Sequence, residues 1–356
     1  MVSDFRNRIT RLLVGEYLGL LLVLALLVAF FGAQTQYFLT VPTLTAIINQ
    51  IPALTLVAVG MTFVLITGGI DLAVGAVLAF TASVLGVLIV QHDVSIWLAV
   101  PAAVLAGGCC GLISGSVSVC AGLPSFIVSL GVLQITRGLG YVLTESTSVY
   151  LDQSTGIQFI GGRIADIGVS PAFLFAFGLV LVSQFVLHRT LFGRYCMAIG
   201  FNETVVRLSG VNTACIRIGA FVVCGALAGA AGVVETSRLS TVDPNAAIGF
   251  ELSAIAAAVI GGTSLMGGRG SMINTFLGVL IIAVLQTGLI QMGVSEGAKY
   301  VTTGCVIVVA VLLDASRDRV SSLTQHFLGD RFRRCDAVCH FPIQKLLKMW
   351  SRMSSV

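Results

Sequence analysis

Charged side chains are scarce in this chain of 356 residues. Asp, Glu, Lys and Arg together make up 10% of it, against about 25% in an ordinary soluble domain. Lysine is rarer still, with Lys299, Lys345 and Lys348 as the only examples. Hydrophobic residues make up 56% of the chain, and the mean hydropathy is +1.00. This composition excludes a disordered chain and a typical cytosolic enzyme, and it indicates a polytopic membrane protein.

Motifs of common nucleotide and metal sites are also missing. None of the lysines follows a glycine, so the chain has no P-loop, and its four histidines form no H-E-x-x-H motif. Cys335, Cys339 and His340 lack a second ligand pair at zinc-finger spacing. We therefore expect no catalytic residue, no metal site and no cofactor-binding residue in this chain. It is not predicted to be an enzyme.

Long apolar runs are abundant instead. A helix needs roughly 20 residues to cross a hydrocarbon core about 30 Å thick. Ten runs approach that length, and they are continuously apolar, which favours helices over strands. The run at 250–266 is short and flanked by glycine, so we expect it to be broken or re-entrant. The predicted spans are 17–36, 48–67, 71–90, 96–119, 123–143, 171–188, 216–235, 250–266, 271–293 and 296–313.

Positive charge orients this predicted all-α bundle, because Lys and Arg accumulate on the cytoplasmic side. With a cytoplasmic N-terminus, sixteen of the 20 basic residues lie inside: three before span one, four between spans six and seven, one after span eight and eight after Asp314. Arg163, Arg238 and Lys299 lie outside, and Arg137 lies within span five. Both termini are therefore predicted to be cytoplasmic.

The sequence divides into three predicted regions. Residues 1–15 form a cytoplasmic N-terminal segment, and 16–315 form a transmembrane domain that includes a cytoplasmic loop at 189–215. Residues 316–356 form a basic tail. Within it, 341–353 places apolar side chains on one helical face with basic ones around it, which is typical of an amphipathic helix on the inner leaflet. A contact with a partner protein is the alternative.

Ionisable side chains at mid-membrane mark ion sites and proton relays, and the predicted spans hold few of them. Only Arg137 lies well inside a span, while Asp71, Glu235 and Glu251 lie at span ends. A charge at the bilayer centre costs roughly 2.5–3.5 kcal/mol, so Arg137 is expected to pair with a carbonyl or to line a path. If the protein transports a solute, the energy is expected to come from another chain.

Polar side chains within the spans are candidates for a translocation path. They suit a neutral, polyhydroxylated solute better than an anion. The alternative is that the amides join helices, at about 0.6 kcal/mol each. The candidates are Asn49, Gln50, Gln134, Arg137, Asn274 and Gln286.

The first of three glycine-rich segments, 67–75, joins spans two and three. Gly68 and Gly69 allow a positive φ and close backbone approach. Asp71 is placed to cap the N-terminus of span three. A tight turn with a cap accounts for this segment without any function.

The second segment, 192–211, is basic and amphipathic, and it lies between spans six and seven. It predicts a short helix with Asn202 as N-cap and Gly210 at the C′ position. This helix is either a solvated part of the loop or a docking helix that fits a groove on a soluble partner. The third segment, 249–271, echoes the first, since both follow an apolar helix with a glycine turn. Two explanations account for this similarity: glycine-rich turns that arose independently, or an internal duplication within the chain.

In order and spacing, these segments resemble the permease subunits of ribose-type bacterial ABC sugar importers, and the resemblance covers about residues 15–315. Three blocks carry it: 61–72, 193–210 and 251–270. The chain departs from the family pattern at Ala73, where a serine is usual. It departs again at 205–206, where two valines replace a pair of alanines.

The resemblance implies a permease of the bacterial inner (plasma) membrane that imports a monosaccharide, ribose-like or related. The chain itself would bind no ATP. A separate ATPase with ATP and Mg²⁺ would supply the power, a solute-binding protein would deliver the sugar, and a second permease chain would complete a homodimer in the lipid bilayer. No nucleic-acid partner is expected. The alternatives are an energy-independent or ion-coupled carrier or channel for a small neutral polar solute, and a membrane scaffold without a transport role.

The resemblance also assigns residues. Arg194 and Arg207 become candidates for charge pairs with the ATPase, while Gly200 and Gly210 are expected to set helix ends. The implied ATPase-coupling loop comprises Gly193, Arg194, Gly200, Asn202, Glu203, Arg207, Leu208, Ser209 and Gly210. The signature turns comprise Thr67, Gly68, Gly69, Asp71, Gly75, Gly261, Gly262, Gly267, Gly268 and Arg269.

Overall fold

The computed structural model describes part of the chain, with side chains from Tyr17 onwards. The described residues are 2–152, 155–162, 164, 168–295, 297–306, 308–309 and 311–312. Every element named below belongs to one compact unit, Met1–Ala310. A second unit, Val311–Val356, is described only at its first two residues, so the predicted amphipathic tail helix lies outside the described residues.

Helices make up nearly all of the regular structure, as the apolar runs predict. Two two-residue strands form one antiparallel pair, in which Val149 is opposite Val242. In chain order the elements are α1 (Val2–Gln34), α2 (Val41–Ile66), α3 (Val74–Val90), α4 (Ile96–Cys120), α5 (Ser125–Leu143), β1 (Val149–Tyr150), α6 (Gln158–Gly161), α7 (Pro171–Arg189), α8 (Leu191–Leu208), α9 (Thr213–Leu239), β2 (Thr241–Val242), α10 (Phe250–Ile260) and α11 (Met272–Gln291).

Seven of the described helices are long and apolar enough to cross a bilayer: α1, α2, α4, α5, α7, α9 and α11. Helices α3 and α10 are apolar but shorter, with 17 and 11 residues. Residues 297–306 are helical, and the rest of the predicted span at 296–313 falls only in part within the described residues. The predicted all-α polytopic class is confirmed.

The predicted span at 250–266 is interrupted, because helix α10 stops at Ile260. Eleven residues of helix rise about 16 Å, roughly half the thickness of a hydrocarbon core. Gly262 follows with φ +82°, a left-handed conformation that ends the helix. Helix α11 then packs closely on α10, since a Cβ atom on Gly278 would lie 2.0 Å from the Ala257 carbonyl oxygen.

Helix α2 is the centre of the bundle, and its residues 51–66 are all buried. Small residues bring other helices close to this core. Gly107 and Gly111 of α4 face Gly225 of α9 so tightly that a Cβ on Gly107 would lie 2.3 Å from the Gly225 carbonyl oxygen. The four-residue glycine spacing in α4 predicts this close helix contact, and the structure confirms it.

Helix α8 lies in the loop between α7 and α9. The Thr190 side chain caps its start by accepting a hydrogen bond from the Gly193 amide. At Asn202 the backbone departs from helical geometry (φ −162°, ψ 96°), and the Asn202 side chain accepts a hydrogen bond from the Val205 amide. Gly210 follows the helix with φ +86°. The prediction of Asn202 as an N-cap and Gly210 as C′ is confirmed.

Asp71 was predicted as the N-cap of span three, and this is wrong. Helix α3 begins at Val74, and its N-cap residue is Ala73, without a side-chain cap. The Asp71 carboxylate accepts a hydrogen bond from the Ala73 amide instead. The Ile70 and Leu72 amides donate to serine hydroxyls on α5, so residues 70–72 have their hydrogen-bond partners outside a helix.

Candidate functional site

The three glycine-rich segments, distant in sequence, meet at one place that we call the glycine junction: Ile66, Gly68, Gly200, Gly267 and Gly268. The Gly268 amide donates a hydrogen bond to the Ile66 carbonyl oxygen at 2.8 Å. Gly200 of α8 packs against both, since its Cβ would lie 2.0 Å from the Ile66 oxygen and 2.2 Å from the Gly268 nitrogen. The end of α2, the middle of α8 and the turn between α10 and α11 are therefore in direct backbone contact.

Local conformation explains why glycine occupies these positions. Gly68, Gly267 and Gly268 have φ values of +77°, +90° and +81°, in the left-handed region that other L-residues rarely adopt. Gly200 is different because its backbone is not left-handed. It lies two residues before the break in α8 at Asn202, close to the end of the first helical part. It is also the point of closest approach between α8 and the two turns.

The turns are also held from the side of α5 and α10. The Ile70 amide donates to the Ser125 hydroxyl at 2.9 Å, and the Leu72 amide donates to the Ser129 hydroxyl at 3.0 Å. Gly75 leaves room for the first turn of α10, because its Cβ would lie 2.3 Å from a Glu251 carboxylate oxygen. Sequence reasoning missed both serines, since hydroxyls on a separate helix carry no local signal.

The remaining turn positions complete this packing. Thr67 is buried and its hydroxyl donates to the Val64 carbonyl oxygen, while Gly69 is packed against Phe221 of α9. Gly261 contacts the backbone of Asn274, with a Cβ distance of 2.6 Å. These residues are parts of tightly packed turns.

Helix α8 presents large apolar side chains on its exposed side. Phe201, Val205 and Leu208 are 68%, 61% and 81% exposed. Val205 and Leu208, three residues apart, lie on one face of the second part of α8, and Phe201 precedes the break at Asn202. The opposite side, with Cys196, Ile199 and Val206, is buried in the bundle. We call Phe201, Val205 and Leu208 the apolar face of α8. A cluster of exposed large apolar side chains is typical of a protein interaction site.

Charged groups beside the apolar face divide into satisfied and exposed ones. Glu203 accepts hydrogen bonds from Arg217 and from the Thr213 hydroxyl, each at 3.1 Å, which ties α8 to α9. Arg194 and Arg207 are both exposed. The sequence grouped Glu203 with the partner-binding residues, but its carboxylate is engaged within this chain.

The six path candidates have no hydrogen bond to one another within the described part of the chain. The Asn49 side chain makes two hydrogen bonds to one segment: its amide nitrogen donates to the Gly168 carbonyl oxygen at 3.0 Å, and its oxygen accepts from the Ser170 amide at 2.7 Å. The side-chain oxygen of Asn274 is buried without a hydrogen-bond partner among the described residues. Gln50 and Gln134 are exposed, and Gln286 is half-buried.

Arg137 pairs with carbonyl oxygens, which is one of the two arrangements expected for it. One guanidinium nitrogen, Nη1, donates to Pro244 at 2.8 Å and to Ala246 at 2.9 Å. One turn further along α5, the Tyr141 hydroxyl donates to the side-chain oxygen of Asn245. Neither Tyr141 nor Asn245 was singled out by sequence reasoning.

One stretch of the sequence, 293–297, has the G-x-S-x-G spacing of a hydrolase nucleophile. That motif requires a strand before the serine and a helix after it. Here helix α11 precedes Ser295, and the Ser295 hydroxyl accepts a hydrogen bond from the Ala298 amide. Ser295 therefore has the position of a helix cap.

The structure is a bundle of apolar helices that includes an interrupted span at α10, with the amphipathic helix α8 exposed outside the bundle. These features define a multi-pass membrane protein of the transport type. The chain matches a family of such proteins over residues 43–311, described as the branched-chain amino acid transport system / permease component. It belongs to this family. Its members are transport permeases of the bacterial inner membrane and not enzymes, so both predictions are confirmed.

Relatives with 32–38% identity cover most of the chain. The ribose import permease protein RbsC of Escherichia coli (strain K12) is 38% identical over 297 residues, which are 83% of this chain and 92% of that protein. The D-allose transport system permease protein AlsC of the same strain is 35% identical (83% and 90%). The L-arabinose ABC transporter permease protein AraH of Azospirillum brasilense is 32% identical (84% and 87%). No solved structure matches the chain.

Proposed function

We propose that this chain is the membrane-spanning permease subunit of an ATP-driven importer for a monosaccharide, ribose-like or related. ATP and Mg²⁺ are bound by a separate ATPase, and a solute-binding protein delivers the sugar. The relatives named for ribose, D-allose and L-arabinose support this solute class. They differ in the sugar that they are named for, so the proposal extends to the class and not to one member of it.

The observation that carries the proposal is the apolar face of α8. Its three side chains are exposed and belong to a loop that the charge pattern assigns to the cytoplasm. Exposed Arg194 and Arg207 flank it, so the surface combines an apolar centre with positive charge. Such a surface suits a soluble partner with an apolar groove and acidic rim. We propose that the ATPase docks there.

The glycine junction gives this docking a mechanical consequence. Gly200 contacts the Ile66 oxygen and the Gly268 nitrogen without a side chain between them. Backbone-to-backbone packing of this kind has little room for compression. A displacement of α8 by the docked ATPase is therefore passed to the end of α2 and to the α10–α11 turn. We propose a second copy of this chain as the partner that completes the path, because closed two-fold dimers are the commonest homo-oligomers.

The test uses the complete complex. The chain is co-purified with the ATPase and the solute-binding protein of the same organism and reconstituted into liposomes with ATP inside and binding protein outside. Uptake of radiolabelled D-ribose, D-allose and L-arabinose is then measured. We expect ATP-dependent uptake of at least one. Uptake that proceeds equally without ATP would establish the carrier alternative and contradict the proposal.

Docking itself is tested with Leu208, the most exposed residue of the apolar face. Leu208→Asp places a charge at the proposed contact, and we expect ATPase co-purification and uptake to fall at least tenfold, about the effect of 1.4 kcal/mol. Leu208→Met keeps an apolar side chain of similar volume and is the matched control, with both quantities near wild type. Normal ATPase co-purification with Leu208→Asp would refute the docking surface.

A further inference from the structure

Residues 243–249 connect β2 to α10 without forming helix or strand, and we call them the unwound segment. Ala247 and Gly249 have φ values of +60° and +84°, so the backbone turns sharply twice before α10 begins. The Asn245 amide donates to the Asp243 carboxylate at 2.8 Å, which closes a local turn. The segment therefore has a defined, irregular conformation.

The chain from Val242 into the unwound segment runs beside α3, which lies within a predicted membrane span. A Cβ atom on Gly86 would lie 2.8 Å from the Val242 side chain, and one on Gly75 would lie 2.6 Å from the Ala247 carbonyl oxygen. These two glycines are eleven positions apart on α3, a rise of about 16 Å. The chain thus descends about half the thickness of a hydrocarbon core before α10 begins.

Irregular backbone at this depth is tolerated only where protein covers it or where it lines a water-filled cavity. Arg137 covers part of it by donating to two of its carbonyl oxygens, those of Pro244 and Ala246. Asn245, between them, is exposed, and the Tyr141 hydroxyl holds its side-chain oxygen. The segment therefore has one side fixed to α5 and one polar side chain facing outward.

The charge of Arg137 is not balanced by a carboxylate within ion-pair distance in the part of the chain that the structure describes. Both recorded hydrogen bonds start from Nη1, so the Nη2 and Nε donors have no partner among those residues. The same holds for the amide nitrogen of Asn245, whose oxygen alone is engaged. Hydrogen-bond donors thus remain available at the segment.

We infer that Arg137, Tyr141 and Asn245, together with the unwound segment, form the solute-contact site of the translocation path, for a neutral polyhydroxylated solute. Arg137 is the positioning residue that holds the segment, and Asn245 and Tyr141 contact the solute hydroxyls. This site rests on the proposed import function. It adds Tyr141, Asn245 and the unwound segment to Arg137, which the sequence already named as a path candidate.

The chemistry of the site favours a polyol over an anion or a cation. A sugar offers hydroxyls that both donate and accept, and the site offers both kinds of partner. The guanidinium and the Asn245 amide nitrogen donate, while the phenol oxygen and the Asp243 carboxylate accept. The site thus holds one guanidinium and one carboxylate that do not pair with each other, and this mixture of donors and acceptors suits hydroxyls better than a single charge.

The experiment measures uptake and ATP hydrolysis in the reconstituted complex, with the sugar that wild type transports fastest among D-ribose, D-allose and L-arabinose. For Asn245→Ala and Tyr141→Phe we expect the maximal uptake rate to fall about tenfold, the effect of one lost hydrogen bond in the path. We expect ATP hydrolysis stimulated by loaded binding protein to stay within twofold of wild type. The uptake that a given amount of ATP supports therefore falls.

Leu139→Ala is the matched control. Leu139 is exposed on α5, two residues from both Arg137 and Tyr141, so it lies about half a helical turn away from them, on the other side of the helix. It should leave both rates near wild type. Wild-type uptake in Asn245→Ala and Tyr141→Phe, or equal losses of uptake and ATP hydrolysis, would overturn the site and leave the import function standing. Failure of wild type to import any of the three sugars would overturn the import function and the site with it.

Discussion

Replacing Gly200 by alanine tests the glycine junction with the smallest available change. The added Cβ would lie 2.0 Å from the Ile66 carbonyl oxygen and 2.2 Å from the Gly268 nitrogen. Ordinary van der Waals contact begins at 3.4 Å, and both neighbours are backbone atoms that no rotamer change can move. Either α8 or the two turns must therefore shift by roughly 1 Å.

Overpacking of this kind costs about 1–3 kcal/mol. The cost falls on the arrangement in which α8 touches both turns, because relief comes only when they separate. If that contact couples the ATPase to the bundle, a penalty of 1–3 kcal/mol corresponds to a loss of about 5- to 150-fold in coupling. We expect sugar uptake by the reconstituted complex to fall within that range, while ATPase remains bound to the apolar face.

The matched control is Gly178→Ala in the middle of α7, where an added Cβ has nothing within 4 Å. The same chemical change there removes a helix-destabilising glycine and should be neutral or stabilising, by up to about 1 kcal/mol. Uptake, ATPase co-purification and thermal unfolding are measured on both variants. Full uptake by Gly200→Ala, with normal abundance, would refute the transmission of force through the junction.

Two further predictions concern residues that the structure assigns to stability. Asn49→Leu removes two hydrogen bonds to the backbone of Gly168 and Ser170, so thermal unfolding of the purified chain should show a loss of about 1–3 kcal/mol. An unchanged unfolding midpoint would contradict a stabilising role for Asn49. Arg217→Met breaks the ion pair between Arg217 and Glu203, whose side chains are 22% and 41% exposed respectively. The loss of unfolding free energy should therefore not exceed about 1 kcal/mol. A larger loss that persists at high salt would show that the ion pair stabilises the fold more than its exposure implies.

Helix positions follow closely from the sequence, because a long apolar run has few ways to satisfy its backbone in lipid. The predicted span 171–188 is observed as Pro171–Arg189, and 96–119 as Ile96–Cys120. Agreement fails at α10, where the apolar run continues past Ile260 but the backbone does not remain helical. Hydropathy counts apolar residues and does not register that Gly262 adopts a left-handed φ.

The candidate site is harder to predict because its contacts are tertiary. The sequence singles out each glycine segment, but not that Gly200 touches Ile66 and Gly268, which are 134 and 68 positions away by residue number. Asn49 shows the same limit, since its amide is a plausible path group until its partners, more than 100 residues away, are known. Arg137 was better constrained, because a charge inside a span must find a partner of some kind.

Helix α10 links the two proposed sites, and this gives its short length a mechanical meaning. Its C-terminal end leads into the turn that contacts Gly200, and its N-terminal end follows the unwound segment. At that start the Gly249 amide donates to the Glu251 carboxylate, and a Cβ on Gly75 would collide with the same carboxylate, so α10 begins in close contact with α3. A helix of 11 residues is about 16 Å long and moves as one rigid body. A displacement of α8 is therefore passed along α10 to the carbonyls of Pro244 and Ala246, to which Arg137 donates. The irregular backbone of the unwound segment is where the chain can change conformation in response.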